Sequence, residues 1–185
     1  MKFNIIVAMD KKRGIGLNNQ LPWSFKEDIA YFKNLTKGAG NNAIIMGKNT
    51  YHSINKELPY RDNIILSSTL TKIPENMFLC KSIEELFFLL HCQSDAKIDN
   101  SVLDIESKDT NYDDIWIIGG SSIYKQFLDM PEYIDKIFIT YIDNDYSCDT
   151  FFPELPDYYE LVNSSVSSEK STLLTFNIYQ NMFLN

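Results

Sequence analysis

Short apolar runs alternate with amphipathic stretches along the first three quarters of the chain. Runs rich in β-branched residues occur at Phe3–Met9, Ala43–Met46, Asn63–Ser67, Ile115–Ile118 and Lys136–Ile142, each closed by Gly, Asp, Ser or Asn, and they predict strands. Ile5-Ile6-Val7-Ala8 and Ile115-Trp116-Ile117-Ile118 are apolar without alternation, the pattern of strands covered on both faces in a mainly parallel sheet. Helices are predicted over Phe25–Lys37, Lys48–Ile54, Ser82–Leu90 and Ser121–Asp129. Ser82 stands as N-cap of the third with Glu85 at the capping-box position, and Pro131 stops the fourth.

Beyond residue 142 the alternation ends. Tyr158–Val162 and Thr172–Tyr179 read as strands joined by a serine-rich polar turn over Asn163–Ser171, which predicts an antiparallel hairpin closing the sheet edge. Gln93–Asp114 carries 7 acids against 2 bases without sustained periodicity, and reads as a solvated surface insertion with no chemistry of its own. No repeat or second-domain boundary is visible. The expected architecture is one α/β domain over 1–185, with a mainly parallel central sheet, helices on both faces and a C-terminal antiparallel hairpin.

Composition narrows the function classes. With 185 residues and 44% apolar content, one core is expected to bury roughly 70% of the surface of the unfolded chain. Seventeen Lys plus Arg against 25 Asp plus Glu give a net charge of -8, which argues against nonspecific binding to nucleic acid or to an anionic membrane. The charge is uneven: residues 1–80 hold 11 basic and 6 acidic groups, so that half is basic and can serve a small anionic ligand. Cys80, Cys92 and Cys148 are odd in number and widely spaced, which indicates neither a disulfide framework nor a zinc site. Met1–Asp10 has an apolar run too short for a signal sequence, and no stretch reaches the ~20 apolar residues that span a bilayer. A soluble cytoplasmic protein is expected. Two histidines, His52 and His91, are too few and too far apart for a metal or Ser-His-Asp centre, so no metal is expected.

Candidate chemistry concentrates after the first strand. There the chain runs Arg13-Gly14-Ile15-Gly16-Leu17-Asn18-Asn19-Gln20-Leu21-Pro22-Trp23 and enters a helix in which Asp28, Phe32 and Thr36 are spaced i, i+4, i+8 on one face. Such a stripe is ordinarily apolar. Either Asp28 points inward, where burial raises its pKa from about 3.9, or it lies in water at the edge of the stripe, favoured by the helix dipole.

The spacing of Gly14-Ile15-Gly16, Leu21-Pro22-Trp23, Asp28, Phe32 and Thr36 resembles the signature of the dihydrofolate reductase family. The resemblance continues through Met46-Gly47-Lys48-Asn49-Thr50-Tyr51, Arg61-Asp62-Asn63-Ile64-Ile65-Leu66-Ser67, Trp116-Ile117-Ile118-Gly119-Gly120-Ser121-Ser122-Ile123-Tyr124, Thr140 and Asp149-Thr150-Phe151-Phe152-Pro153. It covers nearly the whole chain, and the last motifs are worded most like the eukaryotic type.

The resemblance implies hydride transfer from NADPH to C6 of dihydrofolate with a proton delivered to N5. It implies a catalytic set of Asp28, Leu21, Trp23 and Thr140, with Asp28 accepting hydrogen bonds from the pterin and Thr140 supporting it. Ile6, Val7, Ala8, Ile29, Phe32, Ile54, Leu58 and Ile118 would flank the folate rings together with Leu21, and Arg61 would grip the glutamate-tail carboxylate with its bidentate fork. For the dinucleotide it implies Ala8, Ile15, Gly16, Gly47, Lys48, Asn49, Thr50 and Leu66, and a Gly119-Gly120-Ser121-Ser122 turn with a cis Gly-Gly bond, followed by Ile123 and Tyr124. Lys48, Ser67, Ser68 and Lys81 resemble the cluster around the adenosine 2'-phosphate.

Two positions depart from the family pattern: Asn19 replaces a frequent glycine, and Ser68 a basic residue of some relatives. Competing expectations are a related-fold reductase of riboflavin synthesis and a silent NADPH- or folate-binding module. Antifolate-like small molecules are expected ligands, and fusion to thymidylate synthase is an arrangement the family also allows.

Overall fold

A computed structural model describes residues 1–91 and 111–183. Cys92 and all but the last four residues of the predicted insertion lie outside the described residues. The strands are β1 (Phe3–Asp10), β2 (Gly14–Gly16), β3 (Asn42–Gly47), β4 (Arg61–Leu66), β5 (Phe78–Cys80), β6 (Ile115–Ile117), β7 (Ile134–Ile142), β8 (Thr150–Phe151), β9 (Tyr159–Glu169) and β10 (Thr172–Asn181). The helices are α1 (Lys26–Lys37), α2 (Lys48–Ile54), α3 (Ile83–His91) and α4 (Ser121–Leu128), with a short 3-10 turn at Pro131–Tyr133.

Eight strands form one sheet in the order β5-β4-β3-β6-β1-β7-β10-β9, and β2 pairs with β8 outside it. The pairings from β5 to β7 are parallel, and β10 joins antiparallel to both β7 and β9. The central strands alternate between two cores, which is why they read as uninterrupted apolar runs. Ile5, Val7, Ile45 and Ile64 point to the side of α3 and α4, meeting Leu86, Leu89, Ile123 and Phe127. Ile6, Ile44, Ile65 and Phe138 point to the opposite side, where Tyr31, Phe32 and Leu35 of α1 and Tyr51 and Ile54 of α2 cover them.

The serine-rich turn predicted over Asn163–Ser171 is not there. β9 runs to Glu169, with Asn163–Glu169 pairing residue for residue with Thr172–Ile178 of β10, and the connection is two residues, Lys170 (φ 51°) and Ser171 (φ 62°). Positive φ at both central residues gives the tight turn whose twist suits a hairpin. β9 is an edge strand exposed along most of its length, so it has no apolar face to announce it.

Candidate active site

The carboxyl ends of β1, β3, β4 and β6 open on one cavity of about 850 Å³, large for a small-molecule site. Ala8, Gly47, Leu66 and Ile118 floor it where the strands end, and α1, α2, α4 and the loop after β2 wall it.

At one end stands Asp28, in the first turn of α1. Thr140 of β7 lies in register with Ala8 of β1, and its hydroxyl donates to the Asp28 carboxylate. Asp28 is half-buried and on the cavity wall with Phe32, so it points inward rather than lying at the edge of the stripe. Burial raises its pKa above the ordinary carboxylate range; the Thr140 hydrogen bond opposes this, and the charge of Glu169 adds to it. Leu21 and Ile29, 58% and 54% exposed, form an apolar rim beside it.

At the other end the lining turns basic and hydroxylic, with Lys48, Ser67, Ser68 and Lys81. Lys48 Nζ donates to Thr69 Oγ1 at 2.9 Å and Lys81 Nζ to the Leu70 carbonyl, so both ammonium groups converge on the loop after β4. Among the described residues neither ammonium is paired with a carboxylate. Between the two ends, α2 and α4 present their N-termini, with Gly47 and Gly120 as N-caps lacking a side-chain acceptor. The Gly47 N-H donates to the Gly119 carbonyl at 2.7 Å, which ties the two turns together. The Gly119–Gly120 peptide is cis. At Gly119 (φ 102°) a Cβ would lie 2.7 Å from the Tyr124 ring, whose hydroxyl donates to the Ile6 carbonyl at 2.8 Å. Only glycine fits that place.

The loop after β2 is also fixed. Asn18 (φ 50°) and Asn19 (φ 59°) form a two-residue turn closed by reciprocal Leu17–Gln20 backbone hydrogen bonds. The Asn18 N-H donates to Asp149 Oδ2 at 2.8 Å. Asn19 thus occupies a left-handed conformation, which suits Asn better than most residues.

A family model described as dihydrofolate reductase matches residues 2–181. The chain belongs to the dihydrofolate reductase family. A dihydrofolate reductase of Drosophila melanogaster is 33% identical over 171 residues, covering 88% of this chain and 85% of that protein. One from Sus scrofa is 34% identical over 193 residues, covering 96% of each chain. One from Staphylococcus haemolyticus is 35% identical over 184 residues, covering 97% of this chain and 96% of that one.

The residues singled out through the family resemblance gather on this cavity, with three exceptions. Ile6, Val7, Ile15, Gly16, Asn49, Thr50, Ile54, Leu58, Ser121, Ser122, Ile123 and Tyr124 line it along with the groups already named. Trp23, Arg61 and Gly119 stand behind the wall. Trp23 is buried 5.1 Å from the Tyr146 ring, and its Nε1 has no partner among the described residues. Arg61 is 7% exposed at the start of β4, with Nε donating to the Pro59 carbonyl at 3.1 Å and Nη1 to Thr36 Oγ1. Burial lowers the Arg61 pKa.

Sequence reading missed Asn63, whose amide holds Leu58 through two 3.0 Å hydrogen bonds to its N-H and carbonyl. The i, i+2 spacing of Arg61 and Asn63 in a strand, which puts both on one face, was the available signal. Gln20, Ser53, Ser82 and Gln126 line the cavity and carry no motif that marks them, and Thr150 lines it from within a family motif that assigned it no role.

Proposed function

We propose that this chain reduces 7,8-dihydrofolate to tetrahydrofolate with NADPH. One observation carries the reading: one cavity is lined by a half-buried carboxylate and by two ammonium groups that no carboxylate among the described residues neutralises, together with helix N-termini that lack a side-chain cap. Oriented N-H groups at helix starts and flanking Lys and Ser side chains suit a phosphorylated dinucleotide. The glycine turn supports the fit. A Cβ at Gly120 would sit 3.3 Å from Thr50 Oγ1, so the backbone is bare where a pyrophosphate has to approach. When bound there, NADPH supplies the hydride.

The rest of the chemistry falls to the protein. Asp28 accepts hydrogen bonds from the 2-amino group and N3 of the pterin, fixing its orientation, while Thr140 orients Asp28. Before the pterin binds, burial raises the Asp28 pKa and eases uptake of a proton that can pass on toward N5, while the ionised form accepts the two hydrogen bonds. Ile6, Phe32, Ile54, Leu58 and Ile118 give the rings an apolar slot, and Leu21 and Ile29 exclude water at its mouth. Arg61, held by Thr36 and Pro59 just behind the wall, supplies the cation for the glutamate-tail carboxylate.

The deciding assay follows NADPH absorbance with dihydrofolate as substrate. Turnover with dihydrofolate is expected; none in well-folded protein at neutral or mildly acidic pH refutes the reading, and turnover only with a ribosylaminopyrimidine assigns the cavity to the other reductase chemistry.

A further inference from the structure

The tip of the β9–β10 hairpin grips the start of the helix that carries Asp28. α1 has no cap of its own, because Phe25 stands at its N-cap position without a side-chain acceptor. The carboxylate of Glu169 fills that place from the far end of the chain. Its Oε2 accepts the Glu27 N-H at 3.1 Å, and the Lys26 N-H bonds to the same group. The next residue, Lys170, donates from Nζ to the Ser24 carbonyl at 2.7 Å and lies 5.8 Å from the Phe25 ring centroid. With the tight Lys170-Ser171 turn, two adjacent charges of opposite sign clasp residues 24–27, immediately before Asp28.

A carboxylate on the first free N-H groups of a helix satisfies donors that lack an intrahelical partner and meets the positive end of the dipole. In this helix the capped turn also bears the carboxylate of the cavity. The groups that face Asp28 are the Thr140 hydroxyl from β7 and Glu169 from the hairpin, with Lys26 and Lys170 beside Glu169 itself. We propose that Glu169 is a positioning residue for Asp28: it fixes the first turn of α1 and places a negative charge beside the carboxylate that this turn carries. Like charges oppose each other's ionisation, so Glu169 favours the protonated form of Asp28, in the same direction as burial. In its effect on turnover this inference rests on the role given to Asp28 above.

The test uses ligand-free protein, so that it does not depend on that role. The Asp28 carboxyl is titrated by carbon NMR, and amide exchange at Lys26 and Glu27 is measured, in the parent, Glu169→Gln and Glu169→Ala. Gln keeps an acceptor oxygen and drops the charge. In Glu169→Gln the Asp28 midpoint should fall by about 0.3–0.5 pH unit at low ionic strength and by less in added salt, with the two amides as protected as in the parent. In Glu169→Ala the midpoint should fall likewise, and both amides should exchange roughly tenfold faster. An Asp28 midpoint unchanged in Glu169→Gln, or amide protection unchanged in Glu169→Ala, overturns the proposal. A midpoint that moves while the pH profile of dihydrofolate turnover stays put leaves the clasp standing and removes Asp28 from the reaction.

Discussion

Thr140 and Asp28 share a hydrogen bond across the interface between β7 and α1, joining the middle of the sheet to the first turn of the helix that walls the cavity. This contact holds the carboxylate toward the ligand side while burial disfavours its charge. Asp28→Asn keeps an acceptor for Thr140 and cannot take part in proton transfer. Single-turnover hydride transfer at pH 7 should fall by about 10²-fold or more, with NADPH affinity unchanged; an unaltered rate removes Asp28 from the mechanism.

The same substitution should stabilise the fold, and the sign follows from linkage. Folded Asp28 holds its proton more tightly than the unfolded chain does, because burial raises its pKa. Its contribution to stability is therefore complete below the ordinary carboxylate range and is lost as pH rises through the raised folded value. Asp28→Asn has no such loss. Its melting temperature should exceed the parent's at pH 7, and the gap should close as pH falls to about 3, below the reference carboxylate range. Thermal melts across that interval check it; a gap that is constant with pH contradicts the assignment of burial as the cause.

Thr36 has two jobs at the other end of α1: its hydroxyl donates to the Phe32 carbonyl at 2.7 Å and accepts from Arg61 Nη1. Thr36→Val preserves the shape and removes the anchor that aims the guanidinium. Affinity for folate carrying its glutamate tail should fall about tenfold or more, the value of one hydrogen bond to a charged group, while a pterin lacking the tail should bind as before. Calorimetry with the two ligands separates the outcomes, since equal losses for both would assign Thr36 a purely structural role.

Legibility in the sequence followed burial. Asp28 could be singled out because a carboxylate interrupts a stripe that Phe32 and Thr36 continue, and Ile5–Ala8 predicted a doubly covered strand because both of its faces are packed. Asn163–Glu169 could not be read as strand, because an exposed edge takes its conformation from hydrogen bonds to Thr172–Ile178 rather than from an apolar face of its own. Gly14–Gly16, Phe78–Cys80 and Thr150–Phe151 are equally short of local signal, being set by their partners. The positions of Trp23 and Arg61 behind the wall depend on Tyr146 and on Thr36 and Pro59, contacts that no spacing rule contains.

Gly119 and Gly120 are adjacent, yet alanine should act oppositely at the two. At Gly119 a Cβ would meet the buried Tyr124 ring from a backbone φ of 102°, and that ring is fixed by its bond to the Ile6 carbonyl. Gly119→Ala should cost about 1–3 kcal/mol in stability. At Gly120 φ is −82° and the nearest atom is the Thr50 hydroxyl at 3.3 Å, so the fold accommodates a methyl group with a small shift. Gly120→Ala should melt near the parent temperature and lose NADPH affinity, because the methyl group enters the bare turn. Melting curves paired with cofactor titration test the contrast; reversal of the two effects would place the dinucleotide elsewhere.

Lys48 and Lys81 bring positive charge to the loop after β4 from two different elements, the start of α2 and the residue following β5. If that charge serves a 2'-phosphate, its loss should matter for NADPH and scarcely for NADH, which lacks the group. Lys48→Gln and Lys81→Gln should each reduce the NADPH-to-NADH ratio of kcat/KM about tenfold, the lower bound for a charge-assisted contact. Added salt should compress the parent's ratio toward that of the variants, because exposed pairs are screened. Steady-state kinetics with both cofactors at two ionic strengths decide the matter: a loss shared equally by NADPH and NADH would assign these lysines to the pyrophosphate instead.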